Sequence, residues 1–291
     1  MKGFVGLGAI VCAALSGGGA LAQAYGHAEP GQLGFQAPVT EVARDIMWLH
    51  DVLLVPIIIA ISLFVLALLA YAVFAFDEKR NPTPSKTTHN SFLEVAWTVI
   101  PILVLVVIAI PSFRLLTKEL VVPAPDVTIK VTGSQWHWSY NYSKDNTAFH
   151  NADEVGAFGF DSIMKEDQDL KPAEGDIHLL SVDNEAVVPI NKVVHLQVTA
   201  VDVIHSFIVQ SFGVRADAVP GRMNETWFKA EREGMYYGQC SKICGKDHAY
   251  MPIAFRVVSE EKYKAWLVDS QKKYAAAPSN VELAAAERPT R

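Results

Sequence analysis

Charge is scarce in this chain. Only 19% of its 291 residues are Asp, Glu, Lys or Arg, whereas 51% are hydrophobic. A disordered chain needs the opposite balance, and a typical soluble enzyme carries more charge. Basic clusters are missing as well. The formal net charge is −6, which excludes a nucleic-acid binder, because neutralising phosphates takes clustered Lys and Arg. Three cysteines in the whole chain exclude a disulfide scaffold. No internal repeat is present, so the chain is not a solenoid. The mean hydropathy, +0.19, falls short of a many-span channel or transporter.

The apolar residues are concentrated. Lys2, the apolar stretch Phe4 to Leu15 and the small-residue site Ala20-Leu21-Ala22 read as a secretory signal over residues 1–22. Cys12 falls inside it, so the exported chain would keep two cysteines, Cys240 and Cys244. Two uncharged runs follow, Val52 to Phe76 and Val95 to Phe113, each long enough to cross a bilayer as a helix. Lys79, Arg80 and Lys86 lie in the short loop 77–90 between them. The positive-inside rule puts that loop in the cytoplasm and both termini outside. Residues 23–47 then form an exported lead-in, and 48–118 a two-span hairpin. Glu94 sits at the membrane edge of the second run. It is either a solvated helix-start carboxylate favoured by the dipole or a proton-handling group.

Beyond Val121 the pattern changes. Val127 to Val131, Val193 to Val198 and Ala254 to Val258 alternate in polarity, and further short β-type runs cover Ser206 to Gln210, Thr226 to Phe228 and Met235 to Tyr237. Gly and Pro turns separate them, as in an all-β sandwich or barrel over residues 121–268. Ser143 to Asp176 is acid-rich and reads as an inserted surface loop. Glu260 to Tyr274 reads as a closing helix with Tyr263, Trp266 and Leu267 on one face. The last residues, within the stretch 269–291, form a tail.

The chemistry is concentrated in Cys240-Ser241-Lys242-Ile243-Cys244-Gly245-Lys246-Asp247-His248-Ala249-Tyr250-Met251, a C-x3-C-x3-H-x2-M pattern. Thiolates with imidazole select copper or zinc, and a thioether points to copper. One Cys, one His and an axial Met would serve a single blue copper. The second Cys lets two thiolates bridge two metals. Each copper then needs one His, and the remaining positions a weak sulfur from Met251 and a weak oxygen such as the Lys242 carbonyl. His205, at the start of a strand, is the best second His. His137, His150, His178 and His195 lack comparable partners and read as surface or core residues. A delocalised copper pair exchanges one electron with little rearrangement and offers no open position for a substrate, so the expected task is electron transfer.

Two further features fit. Trp136, Trp138, Tyr140 and Tyr142 share one strand face. Most of them read as core, with an exposed member as an electron doorway. The stretch 121–268 carries an acidic excess, with Asp183, Glu185 and Asp202 as candidates for a face that steers a basic partner.

These residues resemble subunit II of the haem–copper cytochrome c oxidases. The resemblance runs from about Trp48 to Trp266 and is carried by the two spans, His89-Asn90 through Pro101, Gln135-Trp136, Asp202 to Ser206, Ala218 to Arg222 and the Cys240 to Met251 loop. It implies a two-helix transmembrane hairpin followed by a cupredoxin-like Greek-key barrel. It also implies a dinuclear copper centre, CuA, held by His205, Cys240, the Lys242 carbonyl, Cys244, His248 and Met251. Reduced cytochrome c would dock on the acidic face and deliver an electron through Trp136. The copper pair would pass it to the haem of subunit I, where oxygen is reduced and protons are pumped. Glu94 matches a carboxylate near the entrance of a proton channel. The partners implied are subunits I and III, cytochrome c and membrane lipid, at a bacterial inner membrane with the copper domain on the periplasmic side.

The chain departs from the family pattern in places. Lys242 replaces a Glu whose carboxylate serves a magnesium ion at the subunit boundary, and an ammonium cannot ligate magnesium. Ser134 and His137 stand where His and Tyr are common, Phe207 where Trp is common, and Asn141 where a docking Glu is frequent. The rival readings are a membrane-tethered copper-delivery protein, a quinol oxidase subunit and a nitrous oxide reductase. The intact Cys and His set argues against the quinol oxidase, and the reductase needs a second, His-rich copper domain.

Overall fold

A computed structural model of the chain describes residues 26–83, 85–144, 146–150 and 156–274. The expected signal segment, Cys12 and the tail beyond Tyr274 lie outside the described residues. Thr40 caps the first helix, its side chain accepting from the Ala43 N–H at 3.0 Å. The helix α1 (Glu41–Trp48) passes through a π-helical turn at Leu49–Leu54 into α2 (Val55–Ala75). Pro56, which has no N–H to give the preceding turn, follows directly on the π-helical turn. Asn90 caps α3 (Ser91–Leu120), accepting from the Leu93 N–H at 3.2 Å. Both helices are long and apolar enough to span a membrane, and their apolar windows bury nothing against the rest of the chain. The helix leading into the first span begins at Glu41, within the expected lead-in.

The remainder is a sandwich of two five-stranded sheets. One is ordered β3 (Phe158–Ser162), β2 (His137–Tyr142), β1 (Val127–Ser134), β5 (Val194–Ala200), β8 (Asn224–Phe228). The other is ordered β4 (Ala186–Pro189), β10 (Pro252–Val258), β9 (Gly234–Cys240), β6 (His205–Val209), β7 (Val214–Ala218). Alternation sends Ile129, Val131, Trp138, Tyr140, Leu196, Phe207 and Phe255 into the space between the sheets, all fully buried. Apolar burial of about 25 cal/mol per Å² is the main force closing the sandwich.

Two sequence expectations differ from the structure here. The stretch read as a surface loop contains β3, whose Phe158 and Phe160 point inward beneath Trp266 and Tyr274 of the closing helix α4 (Glu260–Tyr274). Phe-x-Phe alternation was the available signal, and the surrounding acidic residues masked it. Nor is the second face of β1 and β5 open to water. Thr128, Lys130, Thr132, His195, Gln197 and Thr199 are buried as well. Residues around Phe149 roof them. The Gln197 amide bonds both the N–H and the carbonyl of Phe149, the Thr128 hydroxyl donates to the Asn146 carbonyl at 2.9 Å, and the Lys130 ammonium lies 5.0 Å from the Phe149 ring centre. Gln197 and Thr128 tolerate burial because the roof backbone satisfies them, whereas Thr132 Oγ1 and His195 Nε2 have no hydrogen-bond partner among the described residues.

Hairpin and sandwich are tied together. Val39 donates its N–H to Ser211 and accepts at its carbonyl from Glu231, Arg44 makes a two-pronged pair with Glu231, and Trp227 donates to the Lys118 carbonyl at 3.0 Å. Lys118 in turn bonds Glu41 and Asp45, each at 2.6 Å, locking the outer ends of the two membrane helices. Gly213 permits the close approach of α1. Its φ is +68°, and a Cβ there would come within 2.8 Å of the Ala43 Cα. Gly213→Ala is therefore expected to destabilise the chain by about 2 kcal/mol, read as a lowered thermal midpoint, while the metal centre, built on other loops, keeps its spectrum.

Candidate metal centre

The centre is built where the second sheet ends. Strand β9 finishes at Cys240, paired across the ladder with Phe207 of β6. The chain then loops through residues 241–251 before entering β10. Ser241 donates its N–H to the Ser206 carbonyl at 2.9 Å, so the loop starts under restraint beside His205. At the far end, the Trp138 indole donates to the Met251 carbonyl at 3.1 Å.

This folding brings together all six positions expected from the sequence. The nearest ligand atoms of His205, Cys240 and Cys244 all lie within 4.8 Å of one another. The two sulfurs are 3.9 Å apart, and neither is in a disulfide. The Lys242 carbonyl lies 3.2 Å from the Cys240 sulfur. His248 Nδ1 and the Met251 sulfur each lie 3.6 Å from the Cys244 sulfur. Cys240, Cys244, Met251 and His205 are buried, His205 completely.

A fit test favours a metal. His205 Nδ1 is buried with no hydrogen-bond partner among the described residues, and an orphaned buried nitrogen costs about 1–3 kcal/mol. Its other nitrogen, Nε2, is 2.9 Å from the Asp202 carboxylate. An ionised carboxylate only accepts, so Nε2 carries the proton and Nδ1 presents a lone pair toward the thiols. Soft sulfurs, imidazole and a thioether in one dry cluster suit copper.

The thiols are electrostatically unequal. Burial opposes the Cys240 thiolate, but the adjacent His205 imidazole and the Ser206 and Lys242 backbone outweigh it and hold its pKa below the ordinary thiol range. Burial, followed by repulsion from Cys240, pushes Cys244 upward. A cation between them would remove the repulsion and ionise both.

The other expected residues fall in distinct places. Trp136 is half-buried just ahead of β2, while Trp138, Tyr140 and Tyr142 are core. Its ring rests on the Gly245 backbone, where a Cβ would meet the ring at 2.8 Å, and the Lys246 ammonium lies 5.6 Å from the ring centre. Glu94 reaches back to the Asn90 N–H at 3.3 Å, a helix-start contact. Asp183 accepts from the Ile163 and Asn184 N–H groups, and Glu185 pairs with Arg256. Asp202 turns toward His205, and burial of its carboxylate is outweighed by hydrogen bonds from His205, Val203 and Gln135, which lower its pKa. Gln135, expected only as part of the Gln135-Trp136 motif and not as a site residue, donates its side chain to the Cys244 carbonyl at 2.7 Å. Gly133 was also missed. A Cβ there would touch the His205 ring at 3.0 Å.

Comparison with known proteins gives the family. The model for the periplasmic domain of cytochrome c oxidase subunit II matches residues 127–258, and the model for its transmembrane domain matches residues 28–115. The chain belongs to the cytochrome c oxidase subunit II family. Cytochrome c oxidase subunit 2 of Cereibacter sphaeroides is 49% identical over 248 residues, covering 83% of this chain and 81% of the relative. A probable cytochrome c oxidase subunit 2 of Rickettsia bellii is 48% identical over 256 residues, covering 88% and 90%. The crystal structure of the periplasmic domain of subunit II from Bradyrhizobium japonicum is 52% identical, covering 53% of this chain and 99% of that one, with a TM-score of 0.45. A second solved structure, 52% identical over 54% of this chain and 98% of that one, with a TM-score of 0.43, is a mixed disulfide between a thioredoxin-like protein and subunit II. Members of the family bind CuA. The two apolar helices are membrane spans, and the β domain is cupredoxin-like.

His205→Ala is expected to lower the copper bound per chain, with the thermal midpoint of the metal-free chain little changed. Metal analysis after gel filtration measures it.

Proposed function

We propose that this chain is the electron-accepting subunit of a proton-pumping cytochrome c oxidase and works through two copper ions. They are held by His205, Cys240, the Lys242 carbonyl, Cys244, His248 and Met251. The observation that carries this is the closed set of soft donors around the buried, unsatisfied His205 Nδ1. When bound, the copper pair takes and gives one electron. The residues around it exclude water, fix the donor atoms and leave no position for a substrate, which favours electron transfer over catalysis within this chain.

Trp136 is assigned as the doorway. It lies over Gly245, next to Cys244, and keeps part of its ring at the surface. Exposed apolar side chains next to the ligands in the chain, Val203, Ile204, Ile243 and Tyr250, suit close contact with a partner protein. Asp183, Glu185 and Asp202 are placed on an acidic docking face for basic cytochrome c, each with part of its side chain exposed. Among the described residues Asp183 meets only backbone N–H groups, whereas Arg256 offsets Glu185. Subunit I, with its haem, receives the electron, and the bare apolar faces of α2 and α3 suit burial against subunits I and III and lipid. The basic loop between the spans supports a copper domain and both termini on the periplasmic side of the inner membrane. Glu94 at the cytoplasmic start of α3 is assigned to the proton-channel entrance. No magnesium is assigned to Lys242, whose side chain is exposed and cationic.

The thiols have to be reduced before copper enters. Closing the sulfurs from 3.9 Å to a disulfide needs a separation of about 2.05 Å and would remove both thiolates. We infer that a thioredoxin-like reductant serves this chain as one engages its relative. Chain oxidised at Cys240 and Cys244 is expected to take up no copper, and dithiol reduction to restore two ions per chain. Copper uptake by the oxidised form would contradict this.

The function is tested by mixing the copper-loaded chain with reduced cytochrome c in a stopped-flow spectrometer. One electron should be accepted per chain, with a rate that falls as salt rises. Trp136→Phe should slow it about tenfold, equivalent to about 1.4 kcal/mol of barrier, without altering the copper spectrum. Equal rates for the two would remove the doorway assignment, and no reduction at all would remove the function.

A further inference from the structure

Asp202 and Gln135 carry charge and polarity expected of a docking surface, yet their bonds run inward. Asp202 Oδ1 meets His205 Nε2 at 2.9 Å and accepts the Val203 N–H at 2.6 Å. Its other oxygen accepts the Gln135 N–H at 2.7 Å. The Gln135 amide continues to the Cys244 carbonyl at 2.7 Å. One chain of bonds therefore joins three separate segments: the β1–β2 turn of the first sheet, the β5–β6 crossover between sheets, and the cysteine loop of the second sheet. Its two ends fall on a histidine and a cysteine on opposite sides of the metal centre.

We propose that Asp202 and Gln135 are positioning residues that clamp the centre: Asp202 fixes the tautomer and orientation of His205, and Gln135 pins the cysteine loop at Cys244. The inference rests on the copper-centre reading above. The His205 ring is held at three points. Asp202 takes Nε2, Gly133 leaves no room behind Cδ2, and Trp138 packs edge-on with ring centres 6.0 Å apart. Of these contacts only Asp202 can choose which nitrogen faces the thiols. An acceptor-only carboxylate forces the proton onto Nε2. It also makes the imidazole a stronger donor, as partners of ligating histidines do. No carboxylate faces His248 among the described residues, so the two imidazoles differ in donor strength. A negative charge on one side favours the oxidised, more positive state of the centre.

The test uses the full-length chain in detergent, loaded with copper. Asp202→Asn keeps the shape of the side chain but replaces one of its two acceptor oxygens with an NH2 donor, which removes the charge and the acceptor-only rule on the His205 tautomer. It should retain copper and shift the ratio of oxidised to reduced affinity about tenfold toward the reduced state, about 59 mV upward for one electron. The copper hyperfine pattern should change with it. Gln135→Ala should release copper to a chelator about tenfold faster at an unchanged potential. Asp167→Asn, at an exposed pair with His178, removes the same charge elsewhere and should do neither. An Asp202→Asn chain that matches Asp167→Asn in potential and hyperfine pattern overturns the proposal. So does unfolding of the Asp202→Asn chain before copper is added, which would make the carboxylate a fold residue. Wild-type chain without a two-copper signal would instead overturn the copper-centre reading.

Discussion

Only two residue pairs join β6 to β9, Phe207 with Cys240 and Ile208 with Gln239, yet the metal centre depends on them. That register sets Cys240, the last residue of β9, opposite Phe207, two residues along β6 from His205, so Cys240 and His205 share one face of the sheet. A slip of one residue would send Cys240 to the opposite face of the sheet. The register is held from within by Phe207, fully buried and packed edge-on against Trp138 and Phe255.

From that corner the site is assembled by loops whose freedom has been removed in advance. Hydrogen bonds at Ser241, Cys244 and Met251 fix the start, middle and end of the cysteine loop. Preorganisation of this kind suits electron transfer, because donors that cannot move make little reorganisation possible when the charge changes. The ties at Val39, Arg44 and Lys118 extend the same restraint to the membrane hairpin. The sandwich is thereby held at a fixed height and orientation over the membrane, as passage of an electron to a membrane-embedded partner demands.

The sequence was most legible where chemistry requires a residue type at a fixed spacing. The Cys240 to Met251 loop names its own candidate ligands, and His205 is picked out by asking what the loop lacks. The two spans follow from uncharged length, and α4 from its apolar stripe. Legibility failed where tertiary context decides the outcome. Strand β3 hides in an acid-rich stretch because Phe158 and Phe160 are inward while their neighbours are solvated. Lys130 and Gln197 look solvent-facing by alternation, and only the roof around Phe149 buries them. Asp202 reads as surface charge, since nothing local distinguishes a carboxylate facing a solvent-borne partner from one facing a histidine three residues on.

The central claim is that two coppers share this site as one redox unit. Electron paramagnetic resonance of the full-length, copper-loaded and oxidised chain, combined with metal analysis, tests it most directly. The account predicts two coppers per chain and one unpaired electron divided between both nuclei. A single localised copper, or none, would contradict it.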